Sequence, residues 1–111
     1  MINDRFFNFL GLGARAGKLV YGAQGCDKAI KTGKAKLVIL DGSASENTKK
    51  DFIDACAYYK VQIMILEQND VLGKCLGKPN NKIIGIVCPK FAKSAMDKLN
   101  TTSGGENIEQ N

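Results

Sequence analysis

Val20-Tyr21-Gly22-Ala23-Gln24-Gly25-Cys26-Asp27-Lys28-Ala29-Ile30-Lys31-Thr32-Gly33-Lys34-Ala35-Lys36 runs directly into the apolar stretch Leu37-Val38-Ile39-Leu40. The spacing predicts a helix that opens at Gly22, ends at Gly33 and feeds a buried strand over Ala35–Leu40. Ala23, Cys26, Ala29 and Ile30 recur at helical intervals and form the core-facing stripe. Gln24, Lys28 and Lys31 fall at i, i+4 and i+7, so they share the opposite, solvent-facing side. A helix N-terminus carries unpaired N–H groups and the positive end of the dipole, which favours anions. Lysines arrayed behind that end, continued by Lys34 and Lys36, point to a polyanion backbone as the ligand. The strand is apolar at every position, the pattern expected when helices cover both faces of a sheet.

Working outward, the same arrangement repeats. Asn3 or Asp4 caps a first helix whose apolar positions Ile2, Phe6, Phe9, Leu10 and Gly13 keep helical spacing, and Gly17 stops it. Lys18–Tyr21 is a short extended piece. Ser43-Ala44-Ser45-Glu46 has capping-box spacing and opens a helix to about Tyr59, with Phe52, Ile53, Cys56, Ala57 and Tyr59 as its inward stripe. Val61–Leu66 is the next strand, Asp70 caps a short helix closed by Gly77, and Lys82–Val87 is the last strand. Pro89 suits the first position of a final helix carrying Phe91, Ala92, Ala95, Met96 and Leu99 inward. Strands separated by helices, with no hairpin signal, imply an α/β chain. The expected architecture is a three-layer α/β/α sandwich around a mostly parallel sheet of about four strands, its strand order not encoded in the pattern. Residues 1–100 read as a single domain and 101–111, with two glycines and almost nothing apolar, as a disordered tail.

Charge narrows the partner. The 111 residues carry a net charge of +5 with 44% hydrophobic residues, ordinary for a folded domain. All 16 basic residues fall at or before Lys98 against nine acidic ones, a net charge of +7 over residues 1–100, since Glu106 and Glu109 lie beyond. A basic surface on so small a domain favours nucleic acid in both affinity and association rate. The basic residues are 14 lysines and only Arg5 and Arg15, so the surface suits tracking phosphates more than bidentate reading of bases.

Other function classes have little support. Cys26, Cys56, Cys75 and Cys88 form no Cys-x-x-Cys pair and the chain has no histidine, which argues against a zinc site. Their apolar neighbourhoods read as reduced, structural thiols of a cytoplasmic protein. The first residues lack a signal-peptide pattern and no run approaches a membrane span. Asp41-Gly42-Ser43-Ala44-Ser45 follows a strand and imitates a catalytic loop, but a turn with a capping box accounts for it and no base is at hand. The expectation is no metal, no cofactor, no small-molecule substrate, and a monomer when free.

From about Arg5 to Met96 the sequence resembles the kink-turn-binding ribosomal protein family of the archaeal L7Ae and eukaryotic L30e type, most of all its short bacterial members. The family opens its RNA-reading helix with Gly-x-Asn-Glu-x-x-Lys-Ala, then x-x-Gly and an Ala-Lys-Leu-Val-Ile strand. Gly22, Gln24, Gly25, Lys28, Ala29, Gly33 and Ala35-Lys36-Leu37-Val38-Ile39 occupy those positions here. A second family motif, Leu-Gly-x-x-x-Gly, is present as Leu72-Gly73-Lys74-Cys75-Leu76-Gly77. The resemblance implies that the glycine admits the RNA backbone, that the next polar pair meets sheared G·A base pairs, and that the lysine holds a phosphate or guanine edge. It places the loop over residues 67–71 against flipped-out bases, where distorted RNA is read. Two positions depart from the family: Gln24 stands for its asparagine and Gly25 for its glutamate. The implied RNA-binding set is Gly22, Ala23, Gln24, Gly25, Lys28, Lys31, Lys34, Asn69, Val71, Leu72, Gly73 and Lys74. The leading expectation is a non-catalytic RNA-binding protein, ribosomal or ribosome-associated. The alternatives are a recognition module for RNA modification or processing and a protein-interaction module that has lost kink-turn specificity.

Overall fold

A computed structural model describes residues 4–78 and 80–102. Nine elements follow in chain order: α1 (Asp4–Arg15), β1 (Leu19–Tyr21), α2 (Gly22–Lys31), β2 (Leu37–Leu40), α3 (Glu46–Tyr59), β3 (Gln62–Ile65), α4 (Val71–Leu76), β4 (Ile83–Ile86) and α5 (Pro89–Thr102). The expectations for Ile2 and Asn3, for the Leu99 side chain and for the tail over 103–111 lie outside the described residues; residues 101 and 102, expected in the tail, belong to α5.

The sandwich follows from alternation along the strands. Leu37 and Ile39 of β2 point to one face and Val38 and Leu40 to the other, as the two-residue period requires. Leu19, Ile84 and Ile86 join Leu37 and Ile39 in a core with Phe6 and Leu10 of α1, Leu72 of α4 and Ala92 and Ala95 of α5. Val38, Leu40 and Ile83 pack on the opposite face with Cys26, Ala29 and Ile30 of α2 and with Phe52 and Cys56 of α3. Three expected stripe residues are solvent-facing instead: Ala23 of α2, and Ile53 and Ala57 of α3. Tyr59 is likewise largely exposed at the end of α3. α2 and α3 therefore bury narrower stripes than their composition implied.

The sheet order is β1-β4-β2-β3. β2 and β3 run parallel, whereas β4 is antiparallel to both β1 and β2, so the sheet is mixed rather than mostly parallel. The connection between β3 and β4 begins and ends beside Asp41: the Gly42 N–H donates to Gln68 O at 2.9 Å and the Asp41 N–H to Lys82 O at 2.8 Å. The chain stays at the end where β3 finished, and β4 starts there and runs in reverse, Ile83 opposite Leu40.

Candidate nucleic-acid interface

The registers place the working parts. Tyr21 lies opposite Ile84 of β4, and Ile83 of the same strand lies opposite Leu40, which itself aligns with Ile65. The start of α2, the ends of β2 and β3, the whole of α4 and the approach to β4 thus share one end of the sheet.

At that end α2 opens without a cap from its N-cap residue, Tyr21, and without an acidic residue in its first turn. Gly22 adopts φ +79, a left-handed conformation that a side chain strains. Its N–H donates to Asn81 Oδ1 at 3.0 Å, tying the helix start to the segment before β4. Asn81 Nδ2 is buried with no hydrogen-bond acceptor among the described residues. The Lys78 ammonium stands 4.6 Å from the centre of the Tyr21 ring, a cation–π contact that reinforces the same junction. Ala23 and Gln24 are exposed and Gly25 is half-buried. A Cβ built on Gly25 meets nothing within 4 Å, so the residue is open to its surroundings rather than crowded into glycine.

The lysines behind this end divide by distance. α2 is ten residues long, about 15 Å. Lys28 is exposed in its last turn. Lys31 is exposed and paired with Asp27 at 3.0 Å. Lys34 lies past the helix end, close to where the Lys36 N–H meets Ile86 O at the other end of β4. The structure therefore does not bring Lys34 together with Gly22.

The second half of the interface hangs from Asp41, immediately after β2. Its side chain is fully buried and accepts five hydrogen bonds. Asp41 Oδ2 takes the N–H groups of Ser43 (3.0 Å) and Asp70 (2.6 Å) and the Ser43 hydroxyl (2.5 Å). Asp41 Oδ1 takes the N–H groups of Val71 (2.8 Å) and Leu72 (3.0 Å). Burial pushes the Asp41 pKa up, but the donors from Leu72, Ser43 and Asp70 outweigh it and hold the carboxyl at about 2. Asp70, expected to cap α4, stands at its N-cap position with φ 60 and makes no side-chain cap bond; Asp41 caps the helix from across the chain instead. Ser43 is likewise not the cap of α3, because Ser45 Oγ accepts from the Thr48 N–H at 3.1 Å. Lys82 Nζ reaches Ser43 Oγ at 2.7 Å and forms an ion pair with Asp70, whose carboxyl it holds below the usual range. That pairing neutralises an exposed carboxylate at the start of α4.

Among the remaining expected contacts, Asn69 and Lys74 are exposed and Val71 is half-buried. Leu72 and Gly73 are buried, Leu72 completely, so they support the surface from beneath. Asp41 and Gly42, read from sequence as a turn, and Asn81 and Lys82, outside the expected set, are the residues that hold the two segments in place. A carboxylate directly after an all-apolar strand was the visible signal for Asp41; its partners some thirty residues on were not.

Beside α4 an open groove of about 630 Å³ is lined by residues of α1 and α4, among them Phe7, Leu12, Arg15, Val71 and Lys74. Among the described residues no group of three or more potential metal ligands occurs, and no helix is long and apolar enough to cross a membrane.

Comparison with known proteins now bears on this arrangement. Residues 5–96 match the family model described as the ribosomal protein L7Ae/L30e/S12e/Gadd45 family. The chain is 38% identical over 99 residues to the RNA-binding protein YlxQ of Bacillus subtilis, covering 89% of this chain and 99% of that protein. It is 40% identical over 96 residues to the YlxQ of Enterococcus faecium, covering 86% and 92%. Against the large ribosomal subunit protein eL30 of Sulfurisphaera tokodaii it is 35% identical over 80 residues, 68% and 73% of the two chains. A solved structure of a protein of unknown function from Bacillus halodurans superposes with a TM-score of 0.82 at 30% identity, covering 88% of this chain and 99% of that one.

Proposed function

The chain belongs to the ribosomal protein L7Ae/L30e/S12e/Gadd45 family, and from that premise we propose that it grips structured, kink-turn-like RNA between the start of α2 and the segment leading into α4. It is a non-catalytic RNA-binding protein of the ribosomal type. One observation carries the reading. Two segments far apart in sequence, one a helix N-terminus held by Asn81, the other a tethered loop, meet at a single end of the sheet.

The roles follow from exposure and chemistry. Gly22 brings the helix end close to the RNA backbone while its own N–H stays on Asn81, and Ala23, Gln24 and Gly25 approach backbone and base edges with their N–H groups and the Gln24 amide. Lys28, Lys74 and Lys78 neutralise phosphates, with Lys31 set back by its pairing to Asp27. Asn69 and Val71 meet unpaired bases, and Leu72 and Gly73 fix their height. Two relatives that match along nearly their whole length bear the name of RNA-binding proteins, which supports the partner class.

The test is binding measured in parallel to a kink-turn duplex, an unkinked duplex of the same length, and ribosomal particles. Tighter binding to the kinked RNA is expected. Equal affinity for both duplexes would remove the kink, and no binding to any of the three would remove RNA.

A further inference from the structure

We propose that Asp41 is a positioning residue for RNA recognition: together with Gly42 it holds residues 66–72 in their binding shape before RNA arrives. This rests on the reading that the segment contacts RNA, and it concerns a residue that touches none.

Two independent constraints converge on the segment. The first is electrostatic. The buried Asp41 carboxylate is saturated by five donors, three of them the consecutive N–H groups of Asp70, Val71 and Leu72. A carboxylate offers about four acceptor sites, so the geometry uses its full capacity. These N–H groups open a helix of six residues, too short to stand on its own, whose N-cap residue is in the left-handed conformation and supplies no cap. The second constraint is steric. The Gly42 N–H donates to Gln68 O at 2.9 Å, and a Cβ at Gly42 would lie 2.5 Å from that oxygen and 2.8 Å from Leu66 O. No side chain fits there unless the segment moves away. Lys82 closes the assembly by bridging Ser43 and Asp70.

The consequence is pre-organisation. A segment already held in place loses little conformational freedom on binding, so a partner of the matching shape binds well and one of another shape does not. Asp41→Asn tests this without removing volume, since Nδ2 turns donors toward donors at Ser43 and Asp70. In the intact chain, three readouts are compared with wild type: amide exchange, affinity for kink-turn and unkinked duplexes, and the salt dependence of each.

The expected result is that core amides such as Val38 and Ile84 keep their protection while Val71 and Leu72 lose about tenfold or more. The preference for kinked RNA should fall about tenfold, and the salt slope should not change because the phosphate-binding lysines remain. Should the variant fail to fold, Gly42→Ala displaces the same segment with the carboxylate intact and should lose the same preference. Retention of the preference with Val71 and Leu72 loosened would overturn the positioning role. So would its loss with those amides still protected. A wild-type protein without any preference would overturn the kink-turn reading first, and this proposal with it.

Discussion

Asp41 and Leu72 are joined by a 3.0 Å hydrogen bond from the Leu72 N–H to Asp41 Oδ1, across thirty-one residues of chain. The bond links the end of a central strand to the start of a one-and-a-half-turn helix, and its strength depends on the carboxyl being ionised. An aspartate that titrates ordinarily near 3.8 is held at about 2 in the fold. The group therefore contributes stability that is fully present above about pH 4 and is lost as pH falls through 2. The difference corresponds to about 2 kcal/mol. Urea unfolding midpoints measured between pH 5 and 2 should fall with acid, and the fall should be smaller in Asp41→Asn.

Gly25 is free of close neighbours and has an ordinary helical backbone, so a longer side chain fits there. Gly25→Glu restores the residue the family carries at this position. It should stabilise the helix by about 0.5–1 kcal/mol. An acceptor for guanine N–H groups should also tighten kink-turn binding by about 1 kcal/mol or more. Titration of both proteins against the same RNA checks it; weaker binding would mean that the glycine admits the RNA backbone or serves another motif.

Gly22 is the opposite case. Its φ of +79 puts any other residue in the left-handed region, at a cost of about 1–2 kcal/mol. Gly22→Ala should lower the melting temperature and weaken RNA binding together, because the strain falls on the bond to Asn81 that fixes the helix start. Thermal unfolding followed by circular dichroism reads the first effect.

Lys28, about 9 Å along α2 from Gly22, and Lys34, beyond the end of that helix, differ in their distance from the interface. If four to six phosphates are neutralised, log affinity should fall with log salt at a slope of roughly −3 to −5. Lys28→Ala should reduce the slope by about one and weaken all RNAs alike, the mark of a phosphate contact. Lys34→Ala, past the far end of α2, should leave both slope and affinity unchanged. An equal effect of the two substitutions would contradict the placement of the interface at the Gly22 end.

What could be seen in the sequence was local. The helix at Gly22, its burial of Cys26, Ala29 and Ile30, and the apolar strand behind it are written in spacings of three, four and two residues, and the structure keeps them. Strand direction is not written that way. Lys82–Val87 looked like another parallel strand because its own pattern says nothing about where the preceding helix leaves the chain. Asp70 looked like a cap because aspartate before a helix usually is one. The competing donor-rich arrangement around Asp41 involves residues 41, 43 and 70–72, and no window of sequence contains them together. Ala57 and Ile53 illustrate a third limit: an apolar residue at helical spacing can still end on the rim of the buried stripe.

The place of β4 between β1 and β2 sets an order on biosynthesis. When the first eighty residues have left the ribosome, the two strands that must flank β4 have no hydrogen-bond partner between them, and the slot stays open until Ile83–Ile86 emerge. Asn81, which holds the start of α2, arrives only just ahead of that strand. A nascent chain therefore displays its lysines long before it owns a shaped surface. On the reading proposed above, it can be attracted to the abundant RNA around it without discriminating, and any preference for one RNA shape has to wait until the last strand closes the sheet.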